Sequence, residues 1–187
     1  FYTNYISGGV QDEPAYALSR SFDGGVTWST ANIITGTRGI RLSTTSKNMR
    51  VNSFPVSAVD ISGGPNNGNL YMVWANIGVP GINTGNDIDI YMNRSTNQGA
   101  SWSTPVRVNQ DPTGQGNEHF FPWITCDPVT GDLSVIYYDD RNVGSAQCQV
   151  YVAVSQDAGN SWTDFQDSDV TFTPSTIPGL AGGYFGD

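Results

Sequence analysis

The stretch "SFDGGVTWS" at residues 21–29 is followed by "STNQGASWS" at 95–103 and "SQDAGNSWT" at 155–163. Aligned without gaps, the copies share a serine, an Asp or Asn two places on, a glycine, a Ser or Thr and a tryptophan. These are Ser21, Asp23, Gly25, Thr27 and Trp28; then Ser95, Asn97, Gly99, Ser101 and Trp102; then Ser155, Asp157, Gly159, Ser161 and Trp162. Each residue type suits a tight hairpin turn. A short Asp or Asn side chain accepts bonds from backbone N–H groups just ahead of it. Glycine takes a positive φ at no steric cost. The tryptophan opens the next strand and brings a large apolar ring. The copies begin 74 and then 60 residues apart, and self-similarity at a long period marks stacked supersecondary units. A calcium loop needs a bidentate glutamate at its twelfth position. Counted from Asp23 and Asp157, that position holds Ile34 and Ser168, so the loop rule fails.

The flanks repeat as well. "FPVSAVDISGGPNNGNLYMVW" (54–74) runs parallel to "FPWITCDPVTGDLSVIY" (121–137). In this alignment Asp60 matches Asp127, Gly68 matches Gly131, Leu70 matches Leu133 and Trp74 matches Tyr137. Alternating runs at 87–95 and 147–155 precede the second and third copies, and further runs at 102–109 and 162–172 follow them. Period-2 alternation between turn signals predicts strands, and no stretch holds a helical period.

The pattern Ser-x-Asp-x-Gly-x-Thr-Trp resembles the Asp-box, or bacterial neuraminidase repeat, of sialidase-like β-propellers. The resemblance implies an all-β fold of four-stranded antiparallel blades, each box lying between the third and fourth strands on the face away from the ligand. Residues 54–109 and 120–172 are then full blades, 1–35 a partial one, and 180–187 the start of another. About three blades cannot close a ring, since propellers have typically 4–8. The expectation is therefore part of a single propeller domain, such as half of a six-bladed one. Its remaining blades would come from a longer parent chain or from a second copy.

The chain carries 17 acidic and 8 basic residues, a formal net charge of -9, and Lys47 is its one lysine. Such a balance disfavours nucleic acid and anionic membranes as partners. No apolar run approaches the ~20 residues needed to span a bilayer as a helix. The single histidine and the two cysteines lack metal-site spacing, so no metal or cofactor is expected. The strand map sets Cys126 and Cys148 at opposite ends of their strands and predicts two free, largely buried thiols. The sequon at Asn93 lies inside a strand, which predicts that it is unused. "FYTNYISGGV" lacks a basic start and an apolar run, so it does not read as a signal peptide.

The loops opposite the boxes hold the candidate chemistry. "YYDDRN" (137–142) offers Asp139 or Asp140 as an acid/base group and Arg141 as an anion clamp; the competing reading is an Asp–Arg pair closing a loop. Glu118 and His119 precede a first strand near the predicted mouth. Arg38, Arg41 and Arg50 read as an anion site or as solvated loop charge. Asp60 and Asp127 read as turn-closing residues. Trp74, Trp123 and Phe121 read as packing between blades, or as sugar-stacking aromatics near the axis. Catalytic sialidases carry an early Phe-Arg-Ile-Pro type motif that is absent here, and the resemblance transfers no catalytic residue. Two functions follow from it. One is a secreted or cell-surface glycan-processing hydrolase of the exo-sialidase-like class. The other is a non-catalytic glycan- or protein-binding scaffold within a larger secreted protein.

Overall fold

The computed structural model describes residues 2–4, 13–40, 45–47, 49–79 and 82–179. Eleven strands run in chain order: β1 Tyr2–Asn4, β2 Ala15–Leu18, β3 Asn32–Gly36, β4 Val56–Val59, β5 Leu70–Val79, β6 Asn83–Ser95, β7 Val106–Arg107, β8 His119–Cys126, β9 Leu133–Asp139, β10 Gln149–Ser155 and β11 Thr163–Gln166. They form one three-stranded sheet, β1-β2-β3, and two four-stranded sheets, β4-β5-β6-β7 and β8-β9-β10-β11. Each strand pairs antiparallel with its chain neighbour. These are the expected propeller blades, numbered 1 to 3 below. The expected further blade at 180–187 lies outside the described residues.

Alternation along the middle strands builds the core. On β5, Met72 and Trp74 face blade 1, where they meet Tyr16, while Tyr71, Val73 and Ala75 join the larger cluster towards blade 3. Trp74 is wholly buried, with Tyr16 edge-on at 5.7 Å and Tyr91 at 6.1 Å between ring centres. The packing role expected of Trp74 holds. Trp123 differs: it is 62% exposed on the outer face of blade 3, because no described blade covers that face.

Each Asp-box closes the hairpin between the third and fourth strands, by the same set of bonds. In the third box Ser155 Oγ donates to Asp157 Oδ1 at 2.8 Å and accepts from Gly159 N at 2.8 Å. Asp157 also accepts from Ser161 N at 2.9 Å and from Ser161 Oγ at 2.6 Å. In the second box Asn97 Oδ1 accepts from Ser101 N at 2.9 Å, and the Asn97 amide donates to Ser101 Oγ at 2.8 Å. The Asn amide thus reverses one donor and keeps the turn. Two successive residues take positive φ in each box, for example Ala158 at 59° and Gly159 at 81°.

The boxes also join blades. Arg20, just before the first box, donates to the Gln98 carbonyl of the second at 3.2 Å. Arg94, just before the second, donates to the Ala158 carbonyl of the third at 2.7 Å. A Cβ on Gly99 would press on the Leu18 methyl of blade 1, and one on Gly159 on the Met92 methyl of blade 2, so either side chain would have to shift. Glycine is favoured at both by its positive φ, 77° at Gly99 and 81° at Gly159.

These bonds set two expectations. Ser155→Ala strips the buried Gly159 N–H of its acceptor and should cost about 1–3 kcal/mol in urea unfolding, whereas Asp157→Asn should stay near wild type, as Asn97 does in its own box. The hydrogen bond from the Ser161 hydroxyl is the main cause that holds the Asp157 pKa down to about 2, with the Ser161 N–H and Ser155 adding to it. Its stabilising contribution is thus present above the unfolded carboxyl pKa of ~3.9 and lost as pH falls through about 2. A carboxyl-resonance titration by NMR measures that midpoint directly.

Several boundaries differ from the sequence reading. Between the sequence runs at 54–74 and 87–95 the chain is mostly strand: β5 runs to Val79 and β6 begins at Asn83, with a bulge at Gly78 absorbing the register shift. The fourth strands shrink to two and four residues, although beyond them Val108 still donates to Ile90 and Phe172 still bridges to Cys148. The described residues of the 37–53 connection do not form a solvated loop. Ile40, Thr45, Lys47, Met49, Val51 and Ser53 are buried in it. Arg38 is exposed, in line with solvated charge; Arg41 lies outside the described residues.

Asp60 and Asp127 close turns as expected, Asp60 accepting from Ser62 N at 2.8 Å and Asp127 from Val129 N at 2.7 Å. Both cysteines are free; Cys148 is buried but Cys126 only half-buried, which corrects the expectation for the latter. Asn93 of the sequon is fully buried and donates to the Ser103 carbonyl at 2.5 Å, leaving its amide no access to solvent.

Candidate functional site

The ends of β6, β8 and β9 away from the boxes bring together all five sequence-predicted residues, in two adjoining clusters. The split follows strand alternation, since Asp139 and Asp140 point to opposite sides.

The first cluster surrounds Lys47, delivered by the 37–53 connection. Its ammonium nitrogen lies 2.6 Å from Asp140 Oδ2 and 2.9 Å from Glu118 Oε2, and it donates to the Ser145 carbonyl at 2.6 Å. Glu118 also accepts from Ser46 N at 2.8 Å, and Asp140 from Glu118 N at 2.7 Å. The Lys47 side chain is fully buried, and that of Glu118 is 14% exposed. Burial opposes the lysine's charge, but the bonds from Asp140 and Glu118 outweigh it and raise the lysine pKa.

The second cluster spans blades 2 and 3. Arg141 places its guanidinium 2.6 Å from both Asp139 Oδ2 and Asp164 Oδ2, and 4.3 Å from the centre of the Tyr151 ring. Tyr137 donates to Asp164 at 2.8 Å. Across the seam, Arg107 pairs with Asp89 and Asp111, each at 2.8 Å. His119 lies between, fully buried, with Nε2 3.2 Å from Asp139 and 3.3 Å from Asp111. Asp164 is half-buried against solvent loss, yet the Arg141 bonds win over burial and lower its pKa.

Asp89, Asp111 and His119 come within metal-ligand spacing of one another. Their donor set does not fit a cation. Asn109 Oδ1 accepts from Ile90 N at 2.8 Å, which fixes its amide, so its nitrogen faces Asp89 at 2.8 Å and Asp111 at 2.7 Å. That N–H pair and Arg107 hold the positions a cation would take.

Sequence reasoning missed Lys47, Asp89, Arg107, Asn109, Asp111 and Asp164. A signal existed for two of them. "DIDIY" puts Asp87, Asp89 and Tyr91 on one face of a strand, alternating with Ile88 and Ile90 on the other, and Lys47 is the lone lysine of an acidic chain.

An apolar cavity lies beside the site, lined by residues that include Phe54, Phe121, Trp123, Ile136 and Tyr138 with Asn52 at its edge. None of the five predicted residues lines it. Phe121 reaches it from a left-handed backbone, φ 52°, within a bulge that interrupts the pairing of β8 with β9.

The structure is similar to that of a Hadza microbial sialidase, with a TM-score of 0.52 and 18% identity over 79% of this chain and 30% of the other. It is also similar to a Penicillium chrysogenum α-L-arabinanase complexed with arabinobiose, with a TM-score of 0.57 and 15% identity over 86% of this chain and 42% of the other. At these identities the likeness is one of fold. The chain spans less than half the length of either protein. No curated protein sequence matches significantly. The family described as a BNR repeat-like domain matches residues 68–180, more than half of the chain, and includes the second and third boxes. The chain belongs to the BNR repeat-like domain family.

Proposed function

We propose that the chain is part of an extracellular, sialidase-like propeller that processes glycans on the face opposite its Asp-boxes. The observation that carries this reading is the carboxyl pair Glu118 and Asp140, both held by the Lys47 ammonium at that end of the strands. Paired carboxyls are the usual means of glycoside hydrolysis. In this reading Glu118 and Asp140 supply acid/base chemistry, and Arg141 clamps an anionic substrate group. Asp139 and His119 hold Arg141 and the strand ends in place. The rest of the ring, beyond the partial blade at 1–35, the blades at 54–109 and 120–172 and the start of another at 180–187, comes from a longer parent chain or a second copy.

The test is a panel of sialosides and arabinofuranosides with chromogenic leaving groups, run beside intact and native mass measurement. Glu118→Gln should lower kcat by about 10²–10⁴-fold while leaving the unfolding midpoint close to wild type. Turnover that survives both Glu118→Gln and Asp140→Asn rejects the assignment.

A second reading, glycan binding without turnover, is supported by the internal pairing of Asp139, Arg141 and His119. It predicts retention on a glycan array and no released sugar from any substrate.

A further inference from the structure

His119 opens β8 and is fully buried, and each of its ring nitrogens faces an acceptor. Nδ1 lies 2.7 Å from the Ile88 carbonyl oxygen. Nε2 lies 3.2 Å from Asp139 Oδ2 and 3.3 Å from Asp111 Oδ1. A carbonyl and an ionised carboxylate accept hydrogen bonds and cannot donate them. A neutral imidazole carries one N–H, so either neutral tautomer would set a bare lone pair against an acceptor. Only the imidazolium satisfies both sides. Asn109 cannot supply the missing proton, because its two N–H groups already serve Asp89 and Asp111.

Every element packed on the ring adds charge. From β6 come Asp89, 3.8 Å from Nδ1, and Tyr91, whose hydroxyl donates to Asp89 at 3.1 Å. From β7 and the connection after it come Arg107 and Asp111. From β9 and the turn after it come Tyr137, Asp139 and Arg141, and from β11 comes Asp164, bound by Arg141. Next to His119 on β8, Glu118 is taken up with Asp140 by Lys47 on the other side. Four carboxylates, Asp89, Asp111, Asp139 and Asp164, thus share two guanidiniums, and His119 supplies the third positive charge between them. The seam between blades 1 and 2 is different. There Tyr16, Trp74 and Tyr91 meet in edge-on and tilted contacts, with Asp89 held at the Tyr91 hydroxyl.

We propose that protonated His119 is a clasp across the seam between blades 2 and 3, and that loss of its proton loosens the end of that seam facing away from the boxes. Burial alone would lower the histidine pKa, but the bond and charge of Asp139, with Asp111 and the Ile88 carbonyl, outweigh it and raise the value. A raised folded pKa fixes the sign. The clasp stabilises fully below the unfolded histidine pKa of ~6.5 and is lost as pH rises through the folded value.

His119 is the only histidine, so its ring resonances need no assignment. Nitrogen–proton correlation spectra of the intact chain should show both ring N–H groups at pH ~7.5, about one unit above the ordinary histidine value. Raising the pH through the ring's midpoint should lower the protection factors of the Ile88 and Ile90 amides, with the base-catalysed rise in intrinsic exchange divided out, by roughly tenfold or more, since these bond to Asn117 and Asn109 across that end. Asp139→Asn should move the midpoint down by about one unit or more. Asp111→Asn provides the same reading if the first variant folds poorly. A ring with one proton at pH 7.5 overturns the proposal. So does a titration that leaves both amides unchanged, or a midpoint indifferent to both carboxyl variants.

Discussion

Lys47→Met should lower the free energy of unfolding by about 3–5 kcal/mol at neutral pH, read from the urea midpoint. Methionine keeps most of the apolar stem, so little packing is lost. What disappears is the one cation that serves Asp140 at 2.6 Å and Glu118 at 2.9 Å. Two carboxylates then face each other with little water to screen them. The deficit should shrink as pH falls and the carboxyls take up protons. The triple variant Lys47→Met, Glu118→Gln, Asp140→Asn should recover most of the loss, because a neutral set leaves no uncompensated charge. In the wild type the sign runs the other way at high pH. The lysine pKa is raised, so its contribution is whole below the unfolded value of ~10.4 and fades as pH climbs through the folded one. A triple variant as unstable as the single one would show that Lys47 acts by volume and not by charge. Arg38→Ala is the natural control: Arg38 is exposed, and its removal should stay within about 0.5 kcal/mol.

Trp74→Ala should cost about 3–5 kcal/mol, and the damage should fall unevenly. The indole fills the seam between blades 1 and 2, wholly buried between Tyr16 and Tyr91. Its removal leaves a cavity that the paired strands on either side cannot collapse into. Amide exchange should rise most along β2, whose residues Ala15 to Leu18 are held by that seam, and least along β9 and β10. Trp123→Ala removes a ring of the same size from the outer face of blade 3, where it is 62% exposed, and should change stability by about 0.5 kcal/mol or less. Equal losses for the two tryptophans would mean that the outer face is covered in solution.

The fold was legible because its information is local. Ser, Asp and Gly at fixed offsets write one turn three times, and those turns locate the third and fourth strands of each blade. Alternation supplied the rest, though it could not place ends such as Val79 or Gln166, where the ladder stops for tertiary reasons. The site was legible only in half. Asp139, Asp140 and Arg141 stand together in the sequence, and the structure keeps them together. Their charged partners come from 20 to 93 positions away, His119 beside Asp139 and Lys47 beside Asp140. Lys47 reaches Asp140 across 93 positions and Asp89 meets His119 across 30, with no pattern in either segment that names the other. Burial was the second blind spot. A polar loop such as 37–53 reads as solvated until the structure shows its alternate residues feeding the core.

The arginine before a box and the glycine within the next one give each of the first two blades both a key and a keyhole. Arg94 fits the third box as Arg20 fits the second. A blade moved from one seam to the other would find the box joint ready but the opposite end unmatched, aromatic at the first seam and charged at the second. Blade 3 breaks the series, because Val154 stands where Arg20 and Arg94 would predict arginine. A blade docked on that side would find no arginine key there.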